Sequence, residues 1–123
     1  MKNNLFERPE ELNERFEYFQ TLYPDYNESE NENENVNDES KSGIQIERII
    51  SAGHVTPVGR WLEQEKNEWV ILIKGNAEIL FFDERKFHLN AGDHLFIPAG
   101  VKHRVIRTSS DPECIWLAVH FST

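Results

Sequence analysis

Gln64, Glu68 and His103 are the residues whose types and spacing suit metal chemistry. His103 closes the stretch GDHLFIPAGVKH (residues 92–103), in which two glycines and a proline bracket the apolar run Leu95-Phe96-Ile97. Gly92-Asp93 fits a turn that feeds a strand. Pro98 ends that strand because it cannot donate to a ladder, and Gly100 supports a second turn. A side chain at position 103 is then held by two rigid turns at the start of the next strand. Upstream, Gln64 lies four residues before Glu68, which precedes the run WVILIKG. Two strands joined by a short turn would bring Gln64 and Glu68 together, with His103 reaching them from a third. Imidazole nitrogen, carboxylate oxygen and amide oxygen form a mixed set that suits divalent Mn, Fe, Ni or Zn better than copper(I). Open positions would remain for water or substrate. The alternative is a metal-free barrel in which Glu68 and His103 are paired by a hydrogen bond.

The elements that must position these residues are short. From Gly43 onward, apolar runs recur between Gly, Pro, Asn and Asp: IQIERII, GRWLEQ, EWVILIKG, NAEILFF, KFHLN, HLFIPA, HRVIRTS and ECIWLAVHF. Several alternate with period two, which predicts an all-β sandwich or barrel over residues 44–123. Lys74-Gly75-Asn76 and the stretch 83–86 read as hairpin turns. Phe81, Phe96 and Phe121 are expected in the core. Trp69 and Trp116 are expected to pack the barrel, whereas Trp61 adjoins the site closely enough to line a pocket.

Before Gly43 the texture differs. Pro9 can open a helix, and Leu12, Phe16, Phe19 and Tyr23 follow at helical spacing, so residues 1–24 are expected to form a helical extension stopped by Pro24. Residues 25–43 are Asn/Glu-rich; positions 25–41 hold seven acids and one base. Such a segment buries too little to offset its ordering entropy and is expected to be a disordered linker.

The formal net charge is -9, and no basic patch offers a footprint for nucleic acid. A single cysteine, Cys114, permits no internal disulfide and no Cys-based zinc site. Its apolar surroundings predict a buried, inert thiol. No membrane span or signal-peptide pattern is present, so a cytoplasmic protein is the expectation.

Two half-motifs, in order, resemble the cupin superfamily of small double-stranded β-helix (jelly-roll) barrels. Gly92, Pro98, Gly100 and His103 match the second cupin motif without gaps, and Glu68 and Gly75 match the end of the first. The resemblance covers about residues 44–123. It implies a divalent metal held by Glu68 and His103 and a small-molecule ligand or substrate. If the protein is an enzyme, it implies dioxygenase, isomerase or decarboxylase chemistry. Two positions depart from the pattern: the paired histidines before the Glu fall on Leu62 and Gln64, and the Asn that often closes the second motif falls on Arg107. Leu62 cannot bind a metal, and Gln64 is a weak, neutral ligand. His54 and His120 could compensate, ahead of His94. A register shift of one would turn Trp61 and Glu63 inward and make Glu63 a reserve ligand. The competing reading is a metal-free binding or scaffold cupin without catalysis, with a homodimer as one form.

Overall fold

The computed structural model describes residues 2–13, 15–24 and 43–122. It contains β1 (Tyr18–Tyr23), β2 (Ile44–Ser51), β3 (Asn67–Lys74), β4 (Asn76–Phe81), β5 (Lys86–Asn90), β6 (His94–Ile97), β7 (His103–Thr108) and β8 (Cys114–Phe121). Five strands form one antiparallel sheet in the order β1-β2-β8-β3-β6, and three form a second in the order β5-β4-β7. The all-β expectation holds. Among the described residues, no helix is long and apolar enough to cross a membrane.

Period two decides what each sheet turns inward. On β3, Glu68, Val70 and Leu72 are buried and alternate with outward residues. On the central strand β8, Cys114, Trp116 and Ala118 face the same interior, where Ile79, Phe81 and Leu89 of the smaller sheet meet them. Strand β2 is covered on both faces. Ile49 packs on the core, while Arg48 and Ile50, of opposite parity, are buried beneath the N-terminal segment. Apolar residues of both parities in IQIERII follow from this double covering.

The N-terminal helix is not borne out. Residues 4–13 and 15–16 make separate turns, with Glu7, Leu12 and Phe16 each donating to the carbonyl three residues earlier. The side chains of Asn4 and Asn13 accept from the amides two residues on, offering the backbone an alternative to a helix. Residues 18–23 then join the free edge of β2, from Tyr18 opposite Ile50 to Tyr23 opposite Ile46. That edge offers a full ladder of backbone partners, and the aromatic-rich YFQTLY suits a pleated surface. The helical spacing of Phe16, Phe19 and Tyr23 therefore buries nothing; all three are exposed.

Arg48 clamps this extension. It is buried, and its guanidinium donates to the carbonyls of Leu5 (3.0 Å) and Glu7 (2.8 Å) and to Gln20 Oε1 (2.9 Å). Arg48→Ala should cost about 2–3 kcal/mol, since hydrogen bonds from a charged donor are lost from a covered site. Limited proteolysis should then cut within residues 1–16 faster than in the parent protein. Equal cleavage rates would show that β1 pairing alone holds the extension.

Three other expectations are corrected. GRWLEQ forms no strand; it makes only the isolated bridge Leu62–His103, and Arg60 closes a turn on Pro57. Gly75 is not a hairpin turn, because β3 and β4 lie in different sheets. It is the corner where the chain crosses between them. Phe96 is exposed rather than in the core, on the edge strand β6. The stretch 83–86 does turn β4 back onto β5. The expected linker, apart from Gly43, lies outside the described residues.

Candidate functional site

The two sheets and the 55–64 loop enclose a cavity of about 410 Å³. Glu68 enters from β3, His120 and Trp116 from β8, Glu47 and Ile49 from β2, and His103 and Val105 from β7. Leu62, Glu63 and Gln64 complete the rim, and Glu17 and Phe19 reach it from the N-terminal segment.

Backbone hydrogen bonds place the loop. Leu62 and His103 exchange both bonds (2.7 and 3.0 Å), and the Gly100 amide donates to the Gln64 carbonyl (2.9 Å). The second-motif turn thus carries His103 and also straps Gln64 across the cavity mouth. Gln64 Nε2 donates to Glu68 Oε1 at 2.8 Å. His103 is 3% exposed, and its Nδ1 lies 3.0 Å from the Val101 carbonyl. A carbonyl only accepts, so Nδ1 donates to it and Nε2 is the nitrogen turned toward the cavity. That Nε2 lies 3.9 Å from Glu68 Oε1, beyond hydrogen-bond range.

Burial pushes the Glu68 carboxyl above its ordinary 4.5; His120 and His103 oppose this and Glu47 adds to it. Glu68 is the cross-strand partner of His120. The Glu47 carboxylate, 3.6 Å from His120 Nε2, holds the imidazolium above its ordinary 6.5 against the effect of burial. At 3.6 Å the contact is an ion pair slightly longer than a hydrogen bond. At the other end, Trp116 Nε1 donates to Ser51 Oγ (3.2 Å), which donates to Glu17 Oε2 (2.5 Å).

Gln64, Glu68 and His103 therefore come together, with His120 and Glu63 lining the same cavity. His54 does not join them. Its Nδ1 accepts from the Ala52 amide (2.8 Å), and it faces a separate hollow with Leu12 and Phe16. Trp61 also turns away, edge-on to Phe82 and beneath the Arg104 guanidinium. Arg107 binds Asn76 Oδ1 and pairs with Glu78. Glu17 and Glu47 were not singled out in the sequence. Glu47 shares the parity of Ile49 and was detectable by alternation; Glu17 was hidden by the helical spacing.

A cupin-domain family model matches residues 50–120. The chain belongs to the cupin family. This cupin is 32% identical to a proposed mannose-6-phosphate isomerase of Ralstonia eutropha JMP134, over 100% of this chain and 99% of that one, with a TM-score of 0.77. It is 18% identical to a cupin superfamily protein of Desulfitobacterium hafniense DCB-2, over 92% and 84% of the two chains (TM-score 0.65). It is 21% identical to the DMSP lyase DddQ of Ruegeria pomeroyi DSS-3, over 65% of this chain and 39% of that one (TM-score 0.56). No curated protein matches the chain.

Cupins commonly hold a metal ion, and the donor set here fits a weak, open site. Two bonds of about 2.1 Å to one ion span up to about 4.2 Å, so the 3.9 Å gap between His103 Nε2 and Glu68 Oε1 is bridgeable. The Val101 carbonyl fixes the His103 tautomer in the way outer partners orient a ligating imidazole. Among the described residues, no group of three His, Cys, Asp or Glu side chains surrounds one point. For the Gln64 amide oxygen to act as a third ligand, the amide would have to turn its NH₂ away from Glu68.

Proposed function

We propose that this cupin binds a divalent metal ion, weakly, through His103, Glu68 and Gln64, and a small molecule in the cavity beside it. The observation that carries this reading is the His103–Glu68 gap: an imidazole nitrogen and a buried carboxyl oxygen face one another at 3.9 Å, beyond hydrogen-bond range. An ion bound there would supply Lewis acidity and neutralise the buried carboxylate. The chain's own groups would orient the ligand, with Trp116, Ile49 and Val105 excluding water from its apolar part.

The name of the Ralstonia relative raises sugar-phosphate isomerisation as a candidate. The lining argues against it here, because four carboxylates and no Lys or Arg face the cavity among the described residues. A phosphate dianion would meet like charge and no bidentate donor.

Metal content tests the reading, on full-length protein purified without chelators and incubated with Mn, Fe, Ni or Zn. One ion per chain is expected, and its loss in His103→Ala. Equal metal in the parent and the variant, or none in either, would return Glu68 and His103 to a structural role.

A further inference from the structure

The outward faces of the two sheets differ in kind. On the three-stranded sheet, Glu78 stands between His88 and Arg107, and Leu80 between Lys86 and Arg104. That is a solvated face, with charge in both rows. On the five-stranded sheet, the row Ile46–Val119–Trp69–Phe96 crosses four strands without a charged side chain. The next row is Arg48–Leu117–Ile71–His94, and its Arg48 is clamped by the N-terminal segment. No acid stands in either row. By alternation these side chains point away from Glu68, Val70 and Trp116, and none of the six apolar ones packs on the core. Phe96 is 48% exposed and the other five are half-buried. Trp69, expected to pack the barrel, lies against His94 on this outer face, with ring centroids 5.5 Å apart. The N-terminal segment covers Arg48 and Ile50 at the β2 side, and β8, β3 and β6 lie to the other side of it.

We infer that this face is where a second copy of the chain docks, sheet against sheet, across a twofold axis. Strands β8 and β3 contribute eight residues each to it and β6 four. With the start of β2 this is roughly 400 Å² in projection, at about 4.8 Å between strands and about 3.3 Å per residue. Side-chain relief raises the accessible area toward the about 600–1,000 Å² per partner that a stable interface uses. A contiguous apolar patch of that size marks an interaction surface. An apolar face is its own complement, which is what a twofold contact requires. The chain carries a net charge of -9, so two copies repel wherever charged surfaces meet. This face lets them approach without bringing acids together, and a core depleted of charge is the compositional mark of a homodimer interface. The two sheets would stack about 10 Å apart, with their strands about 30° from parallel. The cavity lies on the opposite face of β3 and β8, so a dimer leaves its mouth free. Docking here depends on neither the metal nor a ligand.

Sedimentation velocity of the full-length protein tests this from about 1 µM to about 100 µM, the span in which a Kd of about 1 µM or below registers as dimer. A species of twice the 14.5 kDa chain mass is expected. Like-charge repulsion opposes the contact, so the dimer should tighten as salt rises from about 50 mM to about 500 mM. Phe96→Glu places an acid in the face at a position exposed in the monomer. It should raise the dimer Kd at least about tenfold while the circular dichroism spectrum stays that of the parent. Ile71→Glu, nearer the centre, should do the same. Phe82→Glu, exposed just after β4 of the smaller sheet, should leave the Kd within about twofold. A monomer throughout that range would overturn the dimer. A dimer that survives both substitutions on the large sheet, or that Phe82→Glu dissolves, would overturn this face as the contact. So would one that loosens as salt rises, because ion pairs would then hold it.

Discussion

Gly75→Ala should destabilise the barrel by about 2–5 kcal/mol, a large share of the roughly 5–15 kcal/mol that holds a domain folded. Two costs add. Gly75 has φ +93°, a conformation that L side chains rarely adopt. A Cβ there would also lie 2.8 Å from Ser109 Oγ, 2.9 Å from Cys114 Sγ and 3.0 Å from Cys114 Cα. Ser109 can rotate, but Cys114 Cα belongs to the central strand β8 and cannot yield without moving the core. The control is Gly92→Ala, with φ +95° and open space around its Cβ, which should cost only the backbone part, about 1–2 kcal/mol. Urea denaturation midpoints of the two variants and the parent decide the matter. Equal losses at positions 75 and 92 would show that the corner relaxes and that close approach does not fix this glycine.

Glu68→Gln should trade function for stability. On the proposed metal reading, affinity should fall at least about 100-fold, since the charged ligand would be removed outright. Stability should move the other way in chelator-treated protein. Burial raises the Glu68 carboxyl above 4.5, so the folded protein retains this proton at pH values where the unfolded chain has released it. Stability therefore falls as pH rises from 4.5 through the folded value, and the buried carboxylate remains a burden above it. The glutamine variant escapes this and should melt at a higher temperature than the parent at pH 7–8. The difference should vanish below about pH 4.5. His120 adds a second decline in the parent. Chiefly through Glu47, its folded value is raised above 6.5, so its stabilisation is complete below pH 6.5 and lost as pH climbs through the folded value. Glu47→Gln should flatten that second decline, while the first, set chiefly by burial of Glu68, should persist. Melting curves from pH 4 to 9 read both effects. A glutamine variant less stable than the parent at pH 8 would mean that the contacts of Glu68 with Gln64 and the histidines outweigh its burial.

Much of this cupin was written in local pattern. Alternation in NAEILFF and KFHLN marks half-buried strands, because side chains two apart must share a face. The spacing from Gly92 to His103 defines two turns and a strand start, since proline and glycine restrict or free the backbone wherever they stand. Glu68 and His103 could be named for the same reason: their neighbours in sequence fix where they emerge. The free edge of β2, by contrast, exists only once the sheet is assembled, so Phe16, Phe19 and Tyr23 read as a helical face in a segment that joins a sheet. The corner at Gly75 looks like a hairpin until β3 and β4 are assigned to different sheets. Whether Gln64, Glu63 or Trp61 faces the cavity depended on the bonds from Leu62 to His103 and from Gly100 to Gln64. The sequence by itself determined an all-β cupin barrel with Glu68 and His103 at its mouth, because those features follow from residue type and short spacing. Only the tertiary structure decided that Glu47, His120 and Glu17 line the same cavity, because their nearness to Glu68 arises from pairing across strands far apart in the chain.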